Sequence, residues 1–148
     1  DKTPQKVNLM AIDIFSKQLG LIEKAIELRT QRHSVITSNV ANRETPGFRA
    51  KDLVFEKELL KAYHNDRPSP LKTSDPRHFD GIKRKPIESV TGRRIHSFNP
   101  DPRPDGNTVN LDKEMAKLAE NQLMHQFLTR KIGSSFQTLK RIIDQSGK

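Results

Sequence analysis

Asn39-Val-Ala-Asn-Arg-Glu-Thr-Pro-Gly-Phe48 is where one texture of sequence ends and another begins. Pro46 presets its own φ and Gly47 accepts a positive one, so Thr45-Pro-Gly-Phe48 spells a tight turn of type II. Asn39 and Asn42 are residues that cap or end a helix. Phe48 then leads into an extended stretch. The spacing alone is that of an ordinary helix stop, so the fold depends on which helix is stopped and on where the chain goes next.

Upstream lies a helical stretch from about Leu9 to Val40. Phe15, Leu19, Ile22 and Ile26 recur at spacings of four, three and four, and the series continues past Arg29 and His33 to Ile36 and Val40. Leu21, Ala25, Leu28 and Val35 widen the apolar face. This is helical periodicity sustained over many turns. Gly20 alone interrupts it, at a cost of about 1 kcal/mol. The far end of the chain matches it. Leu111, Met115, Leu118, Gln122, His125, Thr129, Ile132, Phe136, Leu139 and Ile143 fall on one heptad line. Asn110 is placed as N-cap, Asp112 and Glu114 sit in the first turn, and Lys140 and Arg141 lie near the other end, as the helix dipole favours. Leu123, Phe127 and Leu128 lie off that line and imply a second face with another partner.

The centre differs. Seven of the nine prolines fall between Pro68 and Pro104. Ile87 to Phe98 reads as short extended pieces with a turn near Gly92, and Val54 to His64 as a short amphipathic helix capped by Asp52, with Phe55, Leu59 and Tyr63 on one face. The rest of the loop is too long for a compact domain and reads as disordered or partner-ordered. The expected fold is therefore mainly α. Two long terminal helices form an antiparallel, coiled-coil-like pair around an irregular Pro-rich segment with short β pieces. The divisions are 1–44, 45–64, 65–109 and 110–148.

The composition suits assembly. Of the 148 residues, 32% are hydrophobic and 30% charged, with no Trp. That is little apolar material for a solitary sphere, and enough for a helical rod that buries its stripes against other chains. Cysteine is absent, which removes disulfides and thiolate metal sites. No apolar run approaches the roughly 20 residues of a membrane span. Asp1 to Asn8 is polar and does not read as a cleavable leader.

Taken whole, a helix and then Asn39, Val40, Ala41, Asn42, two residues, Thr45, Pro46, Gly47 and Phe48 resembles the signature of bacterial flagellar axial proteins, the rod, hook and hook-associated subunits. Within that group the chain is most similar to the short proximal-rod type. Ala25-Ile-Glu-Leu-Arg-Thr-Gln-Arg32 is similar to the helix leading into that motif. Asp105, Gly106, Asn107, Val109 and Asn110 are similar to the turn opening the C-terminal helix. Longer relatives carry large inserted β domains, for which this chain has no room. The resemblance spans roughly 19–60 and 105–143 and leaves the central loop uncovered.

That resemblance implies a structural subunit of the proximal rod, on the periplasmic side of the inner membrane and packed around a central channel. It implies export by the flagellar type III apparatus without a cleaved signal. Its partners would be other copies of itself, other rod proteins, and ring and export-gate proteins at the rod base. It implies no enzyme activity, cofactor, small-molecule substrate, nucleic acid or membrane-integral segment. Phe15, Leu19, Ile22, Ile26, Ile36, Leu111, Met115, Leu118, Ile132, Phe136, Leu139 and Ile143 are the expected helix-packing residues. Phe55-Glu-Lys-Glu-Leu59 fits the aromatic-to-aliphatic spacing thought to be read by the export gate in such subunits, as does Phe15 with Leu19. An amphipathic helix produces the same spacing.

No constellation for chemistry stands out. His33, His64, His78, His96 and His125 make no close pair of metal-ligand spacing, and His33 and His125 fall on the apolar lines, where packing inside the coil is expected. The net charge is +9. With Lys51, Lys57, Lys61, Lys83-Arg-Lys85 and Arg93-Arg94, it leaves a small basic nucleic-acid-binding protein as the alternative. Against it stand the scarcity of stacking aromatics and the absence of a readout motif. The bases otherwise solvate the monomer or face acidic or lipid surfaces.

Overall fold

In the computed structural model, residues 3–65, 86–99 and 103–146 are described, with side chains from Phe15 onward in the first helix. Helix α1 spans Thr3–Ala41 and the last helix, α3, spans Leu111–Ser146. At 1.5 Å per residue they are about 58 and 54 Å long. They pack along each other, and the register is antiparallel, since Asn39 meets Glu114 and Arg29 meets Asn121. The molecule is thus mainly helical, with both long helices where their periodicity puts them. Lys140 and Arg141 lie short of the end, because α3 runs on to Ser146 and its last turn carries no base.

Strand β1 (Lys51–Val54) leads into helix α2 (Glu56–Asn65). A 3-10 turn (Ile87–Ser89) precedes strand β2 (Arg93–His96). The strands pair antiparallel, Lys51 opposite His96 and Val54 opposite Arg93. Gly92 allows this approach: a Cβ there would lie 2.7–2.8 Å from the Leu53 side chain.

The apolar core lies beside α1, not along the helix pair. Leu28, Leu53, Phe55, Leu59, Ala62, Ile87 and Val90 form it, with Leu21, Ala25, Val35 and Tyr63 packed around them. The second apolar line of α1 therefore serves this cluster. Residues 86–99 carry the short extended piece expected between Ile87 and Phe98, as β2 just after Gly92, preceded by a 3-10 turn. Ile87 and Val90 are buried, and the 3-10 turn is closed by Ser89 and Val90 main-chain bonds to Pro86 and Ile87. Lys83-Arg-Lys85 and His78 lie outside the described residues. Asp52 does not cap α2. It sits in β1 and faces Arg32, while Phe55 occupies the cap position, its carbonyl accepting from the Leu59 N–H.

Besides Lys117, the residues shielded on α3 within the chain are Glu114, Leu118, Asn121, His125, Leu128, Ile132, Ser135 and Leu139. Their spacing alternates four and three, a heptad line displaced from the one read in the sequence. The two lines share Leu118, His125, Ile132 and Leu139. At the other positions the shielded line takes Glu114, Asn121, Leu128 and Ser135, and Met115 and Phe136 lie alongside, exposed. The line turned to α1 mixes polar residues with leucine and isoleucine, while several of the largest apolar side chains stay on the open sides.

Candidate functional site

The two stretches that carry the flagellar resemblance, Asn39–Phe48 and Asp105–Asn110, lie far apart in sequence and meet at one junction. The Phe48 N–H donates to the Thr45 carbonyl at 3.3 Å, and Gly47 has φ +70°, which are the marks of the type II turn. A second turn runs from Arg103 to Gly106, where Gly106 N–H donates to Arg103 O at 2.9 Å and φ is +77°. The Gly47 N–H donates to Asp105 O at 2.9 Å, and Thr108 N–H to Phe48 O at 3.0 Å.

Asn107 is the pin of this junction. Its side chain is wholly buried. Its Nδ2 donates to the carbonyls of Asn42, Arg43 and Thr45 at 3.0, 3.1 and 2.8 Å. Its Oδ1 accepts the Val109 N–H at 2.7 Å. These carbonyls belong to the turn that follows α1, and a residue about 65 positions away ties them together. Asn42 adds a local bond, Nδ2 to Ser38 O at 2.8 Å. Three residues on, Asn110 caps α3 through Lys113 N–H at 3.0 Å.

A polar network continues from there between the helices. Asn39 is buried, and its amide imitates a strand. Its Nδ2 donates to Lys51 O at 2.6 Å and its Oδ1 accepts from Lys51 N–H at 3.1 Å. The same Nδ2 reaches Glu114 Oε2 at 2.8 Å. Lys117 Nζ bridges Glu114 Oε1 at 3.0 Å, Ser97 Oγ at 3.2 Å and Asp52 Oδ2 at 3.4 Å. Asp52 takes two bonds from Arg32, at 3.0 and 3.2 Å, the bidentate geometry that makes such pairs strong. Arg32 Nη1 also reaches Glu56 at 2.9 Å. Further along, Asn121 Nδ2 donates to Arg29 O at 2.9 Å, and the Arg29 guanidinium lies 5.7 Å from the centre of the Phe55 ring, within cation–π range. Among the described residues no buried side-chain nitrogen or oxygen is left unpaired.

The charges obey this geometry. Burial disfavours the Asp52 carboxylate, but the Arg32 hydrogen bond and the charges of Arg32 and Lys117 outweigh it and hold its pKa below the ordinary value. For Arg32, burial pulls down, and Asp52 with Glu56 and Glu120 more than compensates, so its pKa is raised.

Of the helix-packing residues expected from sequence, Ile36 is fully buried, and Phe15, Leu19, Ile22, Ile26, Leu118, Ile132 and Leu139 are half-buried. Leu111, Met115, Phe136 and Ile143 are exposed, as are Leu123 and Phe127. Phe55 and Leu59 lie in the core. His33 is exposed and His125 is half-buried against α1. With Arg29, Thr30, Asn121, Gln122 and Gln126 they line an open groove of about 380 Å³. Among the described residues no group of three or more metal-ligating side chains gathers. Arg32, Asp52, Glu114, Lys117 and Asn121 escaped sequence reasoning. The available signal was Glu114 and Asn121 at seven-residue spacing on a helix face.

No protein-family model matches the chain. It is 31% identical over 139 residues to the flagellar basal body rod protein FlgB of Yersinia enterocolitica, covering 90% of this chain and 98% of that one. To FlgB of Cereibacter sphaeroides it is 34% identical over 130 residues, 85% of this chain and 96% of the other. The chain belongs to the FlgB family. FlgB of Escherichia coli is 30% identical over 141 residues, 92% of this chain and 99% of its own. The similarity thus runs across the central segment, which the motif resemblance leaves uncovered. The junction pinned by Asn107 is the meeting point of the two stretches that resemble the axial family. No helix among the described residues is long and apolar enough to cross a membrane.

Proposed function

We propose that this FlgB-family chain is a structural subunit of the flagellar basal body rod, and of its proximal part, assembled with its own copies and other rod proteins around a central channel. The observation that carries this reading is the open sides of α3. Met115, Leu123, Phe127, Phe136 and Ile143 are exposed along one helix, Phe127 by 63% and Phe136 by 50%. They fall on two faces, Leu123 and Phe127 on one and Met115, Phe136 and Ile143 on the other, and large apolar side chains so exposed on a long helix cost solvation unless neighbours cover them. A contact between unlike faces, repeated by rotation and translation, builds a helical tube. The N-terminal packing residues Phe15, Leu19, Ile22 and Ile26 supply the other face.

Export by the flagellar type III route, and neighbours in the membrane ring and export gate, belong to the same proposal. If the gate reads Phe55 and Leu59, it does so before folding, since both are core residues in the folded chain. The test is genetic and structural together. Loss of the gene should stop rod formation while the membrane ring still assembles. A Phe127→Ser/Phe136→Ser chain should fold, be exported and fail to join the rod. Normal rods built from that variant would refute the assignment of these two faces to subunit contacts.

A further inference from the structure

The small sheet is closed on one side and open on the other. The Asn39 amide takes both main-chain groups of Lys51 and so finishes the outer edge of β1 as a neighbouring strand would. In an antiparallel ladder the members of a wide pair turn their N–H and C=O away from each other. Lys51 does so, and its partner is His96. The main-chain groups of His96 and, two residues back, Arg94 therefore turn to the outer edge of β2. No bond among the described residues takes them. The sheet has two strands, so β2 is an edge.

The side chains on that edge carry one sign. All four residues of β2 are exposed, and neither Arg93 nor Arg94 forms an ion pair with a carboxylate among the described residues. By strand alternation Arg94, His96 and Phe98 share a face, and Phe98 is 86% exposed. Arg93 and Ile95 take the other. Lys51 lies across from His96 and adds to the charge.

We infer that the free edge of β2 receives an extended acidic segment of another protein as a third strand, its carboxylates beside Arg93 and Arg94 and an apolar residue over Phe98. Strand addition of this kind takes affinity from main-chain bonds and specificity from alternate side chains. Charge complementarity selects the occupant. A second copy of this chain would set the arginines of both β2 edges together, and like charges across a strand pair repel. A lipid headgroup or a nucleic acid would meet the arginines and leave the edge N–H and C=O groups without a peptide partner. The inference stands on the sheet and does not require the rod reading.

The test uses the whole chain and a short synthetic peptide with an adjacent Glu-Glu pair, one carboxylate for each face of the added strand, flanked by Val residues. Binding is monitored by amide NMR shifts at Arg94 and His96 and by calorimetry. Saturable binding is expected, weakened at least about tenfold by Arg93→Glu/Arg94→Glu, with unchanged circular dichroism. A peptide of equal charge, N-methylated on the groups facing β2, should not bind. That arm uses the unaltered chain, so it decides the matter even where the double variant fails to fold. Equal binding of the N-methylated peptide would overturn strand addition. So would the absence of peptide binding, whether or not phosphatidylglycerol vesicles or a single-stranded oligonucleotide bind through the same arginines.

Discussion

Replacing Asn107 tests the junction most directly, because its bonds separate an amide from its closest substitutes. In Asn107→Ala the three carbonyls lose a donor, yet each keeps another: Asn42 O from Thr45 N–H, Arg43 O from Arg103, and Thr45 O from Phe48 N–H. The Val109 N–H loses its acceptor, the Asn107 Oδ1 at 2.7 Å, in a buried position. An orphaned buried donor costs about 1–3 kcal/mol, and the lost bonds add about 1 kcal/mol net. The sum is about 2–4 kcal/mol, a large share of the stability of a small domain. Asn107→Asp keeps the acceptor for Val109 but turns a carboxylate oxygen toward three carbonyl oxygens inside the protein, and it should be worse than Ala. Thermal melting monitored by far-UV circular dichroism would show the midpoint falling by about 5–15 °C for Ala and further for Asp. An Asp variant as stable as the parent would refute the claim that the amide donor holds the turn after α1.

The network, the sheet and the open helix face each set a further outcome. Asp52 has a depressed pKa, so its contribution is fully present above the ordinary aspartate value near 3.9 and is lost as pH falls through its lower folded value. Melting points measured down the acid range should drop there, and Asp52→Asn should be less stable at neutral pH with a flatter acid limb. Gly92→Ala should destabilise, because the new Cβ would meet Leu53 at 2.7–2.8 Å, whereas Gly133→Ala, with nothing within 4 Å, should stabilise α3 by up to about 1 kcal/mol. Urea titration of the two would reverse that order if the sheet approach were wrongly placed. Phe136→Ala should change the monomer's melting point little, since that side chain is half exposed, while lowering incorporation into rods measured by pull-down of basal bodies.

The long helices, the turn at Thr45–Phe48 and the Asn110 cap are written locally, in spacings of three and four and in turn residues, and so could be read directly. The core could not. Its members come from α1, β1, α2 and the 3-10 turn, and Ile87 and Val90 sit among prolines, where a three-residue turn leaves no periodic trace. Asn39 and Asn107 were visible as motif residues, but what they hold was not. A side-chain amide that completes a distant strand or turn is a tertiary bond with no signature at its own position. The displaced heptad on α3 has a different cause. Leu111, Met115, Phe136 and Ile143 draw the eye to one line, while Glu114 and Asn121, which meet α1, are polar and count against their own line in any hydrophobic reading.

The clasp at Phe48 and Thr108, tightened by Asp105 O on Gly47 N–H, ties the chain to itself where the central excursion leaves and returns. Residues added to that excursion outside the core cluster enter the energetics chiefly as loop entropy, about 0.6 kcal/mol for each doubling of loop length. Evolution is thereby free to lengthen, shorten or graft onto the excursion, while the angle at which the two shafts leave the knot stays the same.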